Sequence, residues 1–390
     1  MPTRSRTVEV SPAVLRWARE SAGIALDQVA RRLNTGVQTV QGWETGEKRP
    51  TLRTLEELAT FFKRPLAAFL LPEPPREPPV PTDFRVLPEE QRVPLSRKTR
   101  LIIRRAQRLQ RLAGDLLEQM DLGTKSRIGR AGLGADPDRL AERERKQLGV
   151  NLHQQFGWRG RREAFQTWRL ALESLGLLVF RFSMPLEETR GFSLTDNEPQ
   201  AIVVNSQDAP NAQIFTLFHE YAHVLLQNGG LCLWHEALGA DVTPTETFCN
   251  RFAGALLVPV DALLGHEVLR GRRDAAGISE DELTEVAATF CVSKDVVWRR
   301  MQGTGLVSLA AYRARLARWD RMPIRRTPKR RGGPSPAQRC VSERGHRFSA
   351  LILDARDRGI ITYSDVSDYL SVRLRHLEKV ESLVAGRSAR

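Results

Sequence analysis

His219, Glu220 and His223 have the types and spacing to do chemistry. They lie in an apolar stretch of helix length, residues 215–226, that reads Phe-Thr-Leu-Phe-His-Glu-Tyr-Ala-His-Val-Leu-Leu. On a helix, positions four apart share one face, one turn from each other, so the two imidazoles converge. Glu220 follows the first of them directly. In an H-E-x-x-H arrangement the imidazoles bind Zn²⁺ and the glutamate is general base toward the attacking water. The same residues also suit a buried helix whose histidines are satisfied by hydrogen bonds, so the surrounding chain has to decide. Catalytic zinc takes three protein ligands and keeps one position open. Downstream, His235, Glu236, Asp241 and Glu246 are candidates for the third ligand. Glu246 heads an apolar helix that can offer its carboxylate across to the metal. It also completes Thr243-Pro-Thr-Glu246, a capping-box pattern in which it would only bond the N-cap amide.

The elements that must position these residues come just before them. Gly176–Phe182 reads as a buried strand entered from a helix end. Glu188–Leu194 and Ala201–Asn205 read as two more, with Asp196-Asn-Glu-Pro199 turning between them. Helical periodicity covers Leu140–Leu148 and Arg162–Leu175, residues 122–138 read as loop, and the histidine-bearing helix starts near Ala212. Helix, three strands and active-site helix is a plan common among zincin proteases. In that plan the sheet edge lies beside the metal and can pair with an extended substrate.

Residues 8–71 form a compact helical unit of their own. Ser11-Pro12 opens one helix, and Gly23 stops it. Further helices follow at about Ala25–Leu33, Val37–Thr45 and from Pro50-Thr-Leu52, with a last apolar patch at Leu66, Phe69 and Leu70. Two helices joined by the tight turn Asn34-Thr-Gly36 are the helix-turn-helix plan. The N-terminal end of the third helix then enters the major groove, where Gln38 and Gln41, with Thr39 between them, are candidates for base contact. Gln28, Arg31, Lys48 and Arg49 are placed for phosphates. A single copy reads only a half-site, which implies a homodimer.

Composition fits this plan. The net charge of +14 favours a polyanion such as nucleic acid. No apolar run reaches the length of a membrane span, and no hydrophobic signal core follows Met1. Four scattered cysteines without a C-x-x-C pair suggest neither a disulfide framework nor a zinc ribbon, which fits a reducing cytoplasm. The Pro-rich segment 72–81 marks a domain boundary. An arginine-laden helix follows at about Leu95–Met120, its apolar stripe expected to dock on the next domain and its basic face read as a solvated surface rather than an aid to DNA binding.

Two resemblances sharpen the reading. Residues 26–33 and 37–46, with Pro50, Leu52 and Leu55, resemble the XRE (phage Cro/CI-like) family. Thr35 departs from that family's usual apolar turn residue, and Gly42 weakens the third helix by roughly 1 kcal/mol against alanine. Residues 215–226 and 246–259, preceded by Arg190-Gly-Phe-Ser-Leu194 and Ile202-Val-Val-Asn-Ser206, resemble the ImmA/IrrE metallopeptidase family over about residues 140–310. That resemblance implies His219, His223 and Glu246 as the ligands of one Zn²⁺ per chain and Glu220 as catalytic base. Tyr221 stands where leucine is commoner in that motif, and at about 200° round the helix from His219 it reads as a packing residue. The helices of residues 278–301 look like a second helix-turn-helix but resemble the region that packs beside that catalytic core.

The expected fold class is therefore α+β and mostly helical. A five-helix bundle (8–71) and a linker (72–94) precede a zincin-like domain with about three strands (95–310). A basic connector and helical C-terminal region follow (311–390). The resemblances imply a cytoplasmic regulator that binds double-stranded operator DNA and cuts a repressor-like protein in a stress, phage or toxin–antitoxin type of response. The alternatives are a non-proteolytic transcription factor or antitoxin whose peptidase-like domain senses a ligand or partner, and self-cleavage near residues 72–94.

Overall fold

The structure is a computed structural model that describes residues 7–75, 95–123, 126–229, 231–232, 243–320 and 333–388. Most of the expected linker (76–94), most of the basic connector (321–332), and His235, Glu236 and Asp241 lie outside the described residues. Contacts divide the chain into two units, Met1–Val80 with Glu90–Gln107 and Pro81–Glu89 with Arg108–Arg390.

Among the described residues the first unit is helical, apart from an isolated bridge between Thr7 and Thr51. It holds α1 (Pro12–Ser21), α2 (Leu26–Arg32), α3 (Val37–Thr45), α4 (Leu52–Phe62) and a 3₁₀ turn at Leu66–Leu70, the expected five helical segments. Their apolar stripes meet in a core that includes Leu15, Val29, Val40, Leu55, Phe62 and Phe69. Thr51 caps α4 by accepting from the Thr54 amide, and α3 ends on Gly46 in the left-handed region. A partly buried ion pair ties α1 to α3: Arg19 Nε and Nη2 bond the two carboxylate oxygens of Glu44 at 2.7 and 2.9 Å. Gly42 lies against Lys48. A Cβ there would stand 3.2 Å from the Lys48 side chain, whose amide also donates to Gly42 O at 2.9 Å.

Helix α5 (Arg97–Gln119) departs from expectation in its first half, which belongs to the first unit. Arg97 donates to Phe61 O and stacks over the Phe61 ring, and Arg104 Nη2 donates to Lys63 O at 3.3 Å. Some of the arginines read as a basic surface are thus occupied in satisfying carbonyls at the end of α4. The second half belongs to the other unit, where Gln110 Nε2 donates to the carbonyls of Leu194, Asn197 and Pro199.

The second unit wraps helices around a small sheet. Before the sheet come α6 (Pro137–Leu148), α7 (Leu152–Phe156) and α8 (Arg161–Ser174). Asp136 and Pro137 start α6 by side-chain capping and proline preorganisation, two residues inside the span read as loop. Strands β1 (Leu178–Phe182), β2 (Gly191–Leu194) and β3 (Ala201–Asn205) match the three expected, and a two-residue β4 (Leu231–Cys232) joins them in the order β1-β3-β2-β4. β1 runs parallel to β3, and β2 is antiparallel to both β3 and β4. β2 is therefore not a bare edge throughout, since Gly191 and Phe192 pair with β4.

Helix α9 (Pro210–Leu225) carries the two histidines and packs on α8, β2 and β3. Almost every residue from Gln213 to Leu225 is buried, as expected of a helix that is apolar all round. Helices α10 (Pro244–Leu257) and α11 (Val260–Gly265) follow, then α12 (Glu280–Thr289) and α13 (Lys294–Gly303). α13 packs on α10, and Arg300 Nε donates to Val258 O at 2.9 Å, so this helix pair lies beside the core as the resemblance implied.

After α14 (Leu309–Asp320), helices α15 (Pro336–Arg344), α16 (His346–Asp357), α17 (Tyr363–Leu370) and α18 (Leu377–Ser388) complete the chain. They join the same unit: α15 packs on β1, and Phe348 meets Phe180 edge-on at 5.6 Å. Arg169 Nη1 donates to Ser342 O at 2.7 Å, while its Nε pairs with Glu173 at 3.2 Å. Glu173 Oε2 in turn accepts from the amides of His346 and Arg347. Gly345, at φ 84°, leaves room for this cluster, because a Cβ would fall 2.8 Å from Val179 O.

Candidate functional site

Two crossing helices build the site. On α9, His219 and His223 lie one turn apart with their rings tilted at 5.0 Å between centroids, and their Nε2 atoms are 3.3 Å apart. Glu246, in the first turn of α10, reaches both imidazoles: Oε2 is 3.0 Å from His219 Nε2 and Oε1 is 3.0 Å from His223 Nε2. The side chain of Glu246 therefore does not close a capping box. Thr243 Oγ1 does accept from the Glu246 amide at 3.2 Å, but the Glu246 side chain goes to the histidines instead of back to the N-cap. Backbone and side chain serve different ends.

All four polar side chains are buried: His219 and Glu246 are 2% and 4% exposed, and Glu220 and His223 are fully covered. Both carboxylate oxygens of Glu220 are buried, with the Ser193 side chain of β2 beside them favouring the charged form. Burial raises the Glu220 carboxyl to about 7, against the pull of the two imidazoles. For His219, burial works against protonation, but the Glu246 carboxylate outweighs it and raises the imidazole to about 9. Burial pushes Glu246 up, yet the two imidazoles win and hold it well below the ordinary carboxylate range.

The donor set fits a zinc-type ion. His219, His223 and Glu246 each offer one ligand atom, and these atoms lie within 4.8 Å of one another. Nitrogens about 2.0–2.1 Å from a tetrahedral ion stand roughly 3.3 Å apart, the separation seen between the two Nε2 atoms. Two imidazoles and one carboxylate leave the fourth position that hydrolytic chemistry requires.

Several supporting residues were not singled out in the sequence. Asn250 Oδ1 lies 3.1 Å from His219 Nδ1, so it can fix the ring and its tautomer. Cys249, one residue earlier, is a buried thiol raised to about 11 by burial, with His223 beside it opposing the shift. Asn250 and Cys249 sit four and three residues after Glu246, so helical spacing was the only signal for them. Tyr221 is packed as expected, against Phe252, but its hydroxyl also donates to buried Glu144 Oε2 at 2.6 Å. Gly191 lets β2 lie against α9, because a Cβ there would meet Thr216 Cγ2 at 2.6 Å and Val203 O at 2.8 Å.

In the first unit, Gln38 and Gln41 are exposed on α3 and Thr39 is half-buried. Lys48 and Arg49 are exposed beyond the end of α3, with Arg49 3.3 Å from Glu9. Arg31 is exposed and pairs with Asp27 at 2.7 Å. Gln28 is partly committed, its Oε1 accepting from the Ala25 amide at the start of α2. No helix among the described residues is long and apolar enough to cross a membrane.

Comparison with known proteins bears on both units. No curated protein matches the chain. Residues 15–69 match the family described as helix-turn-helix. Residues 172–302 match a peptidase family described as IrrE N-terminal-like domain, a span that includes the three strands, α9, α10 and the helix pair α12–α13. The chain thus joins an XRE-type helix-turn-helix domain to an IrrE/ImmA-like, metallopeptidase-type domain.

Proposed function

We propose that the chain is a DNA-binding regulator whose second unit is a zinc-dependent endopeptidase. The convergence of two imidazole nitrogens and one carboxylate beside buried Glu220 carries this reading. His219, His223 and Glu246 would hold one ion per chain, with Asn250 orienting His219. When bound, zinc supplies Lewis acidity that polarises a scissile carbonyl and acidifies water. Glu220 takes the proton from the attacking water and later delivers it to the leaving amine. A carboxyl raised to about 7 suits both roles, since a group that must accept and then give a proton works best near the ambient pH.

The substrate class is a repressor-like protein cut at one site, as the resemblance implies for a peptidase joined to a DNA reader. In the first unit, Gln38 and Gln41 would contact base edges, with Thr39 beside them, and Gln28, Arg31, Lys48 and Arg49 would contact phosphates. Two copies of the chain would pair on a two-fold operator, since one domain covers one half-site. The buried thiols Cys249 and Cys291 suit a reducing cytoplasm.

The decisive experiment compares purified wild-type protein with Glu220→Gln. Both should bind one zinc per chain, and only the wild type should cut a candidate repressor, or the chain itself within residues 72–94. Absence of zinc, or regulation unaltered by Glu220→Gln, overturns the peptidase reading and favours a sensor. Operator binding that survives the double change Gln38→Ala and Gln41→Ala overturns the assignment of α3.

A further inference from the structure

The second unit contains a cavity of about 620 Å³ whose lining includes none of the metal-centre residues. It lies among α6, the Gly149–Leu152 segment, the end of α10, the start of α11 and Arg300 of α13. Val150, Leu152, Ala255 and Val260 give it apolar walls, and its size falls within the range of small-molecule sites.

Two deep arginines line it, and they differ in one respect. Arg300 is paired with Asp138. Arg145 is 8% exposed and spends its hydrogen bonds on neutral acceptors: Leu256 O (2.8 Å), Gln155 Oε1 (2.9 Å) and Val150 O (3.1 Å). Among the described residues no carboxylate pairs with it. Its guanidinium lies 5.3 Å from the Trp168 ring, and burial lowers its pKa to about 10. The α10 carbonyl it bonds belongs to a helix C-terminus, which contributes only about half a negative charge. Of the remaining charges, Lys146 is paired with Glu142, and Arg139 and Asp261 are exposed at the rim. A buried cation without a counter-ion in an apolar cavity calls for a matching anion.

We infer that this cavity binds a small amphipathic carboxylate, its anionic head on Arg145 and its apolar body against Val150, Leu152, Ala255 and Val260. Occupancy would be felt at the metal centre through two short paths. Glu144, adjacent to Arg145, accepts the hydroxyl of Tyr221, which follows Glu220 on α9. The far wall is the end of α10, the helix that begins at Pro244 and bears Glu246. The site itself does not depend on the peptidase reading, because its test needs no catalysis.

The test is calorimetric titration of the full chain with butanoate, hexanoate, octanoate and decanoate, each against its neutral primary amide. At least one carboxylate should bind saturably. Its amide should bind about ten- to a hundredfold more weakly, the range for losing a charge-assisted hydrogen bond. Val260→Trp fills the cavity while keeping Arg145, and it should abolish binding with an unchanged circular dichroism spectrum. Arg145→Gln should weaken binding as the amide does. If Arg145→Gln fails to fold, the amide series and Val260→Trp still decide. Failure of every carboxylate to bind, equal binding of acid and amide, or binding unaffected by Val260→Trp overturns the inference.

Discussion

Replacing Tyr221 with phenylalanine tests how the metal-bearing helix is held. The change removes one oxygen and leaves the ring against Phe252. It also strips Glu144 Oε2 of a 2.6 Å hydrogen bond in a fully buried position, leaving this carboxylate with the Arg143 pair at 3.0 Å on its other oxygen. A hydrogen bond to a charged group contributes about 1.5–3 kcal/mol, and a buried acceptor left unmade costs toward the upper end. For a unit of this size each kcal/mol moves the melting temperature by roughly 2–4 °C. The expected fall is about 3–12 °C by differential scanning calorimetry on the zinc-loaded protein, with zinc stoichiometry unchanged. Glu144→Gln should cost less in the Tyr221→Phe background than in the wild type, because the two residues share one interaction. A melting temperature within about 1 °C of wild type would falsify the view that this bond anchors α9 to α6.

Three further outcomes are expected. Asn250→Ala should weaken zinc binding about 10- to 100-fold in chelator competition, and unchanged affinity would remove Asn250 from the orienting role. Gly191→Ala should cost roughly 1–3 kcal/mol in urea denaturation because its Cβ meets backbone at Val203 O, and an unchanged midpoint would show that β2 can shift freely. The metal-free protein should lose stability as pH rises from 7 to 9. His219 is raised to about 9 from an unfolded value near 6.5, so its contribution is full below pH 6.5 and vanishes through pH 9. Glu220, raised to about 7, is still ionising just above pH 7 and adds to the loss, and Glu246 changes only below its ordinary value, so neither reverses the trend. Zinc, which takes neutral imidazole, should flatten the dependence. A metal-free melting temperature that is level or rising between pH 7 and 9 contradicts the pairing.

Much of the plan was legible in the chain because it rests on short-range signals. His219 and His223 follow from a four-residue spacing, the three strands from apolar runs between turns, and the first unit from caps and periodic leucines. Glu246 was harder, since one residue type fitted two roles. Only the crossing of α10 over α9 separates its amide, bonded to Thr243, from its side chain on the imidazoles. Asn250 offered only its helical spacing from Glu246, and Glu144 gave no signal, because a polar residue on a helix looks the same whether it faces water or a buried ring. β4 has two residues, too few for any period. The start of α15 did carry a signal in Ser335, Pro336 and Gln338, a capping box that the Pro/Gly-rich surroundings masked. The arginines of α5 misled for another reason. Charge suggests a surface, yet Arg97 and Arg104 serve main-chain carbonyls.

The C-terminal helices have a consequence for how the chain avoids self-association. β1 is the outermost strand of the sheet, and it presents Leu178, Val179, Phe180 and Phe182. An outer strand of that composition, left bare, is a template on which a second molecule can add a strand. α15 lies on β1, and the contact of Phe348 with Phe180 and the Arg169–Ser342 bond hold the neighbouring segments there. The last fifty or so residues therefore act as a guard on the sheet. A chain ending before Ser335 would keep every metal-site residue and still be prone to aggregate.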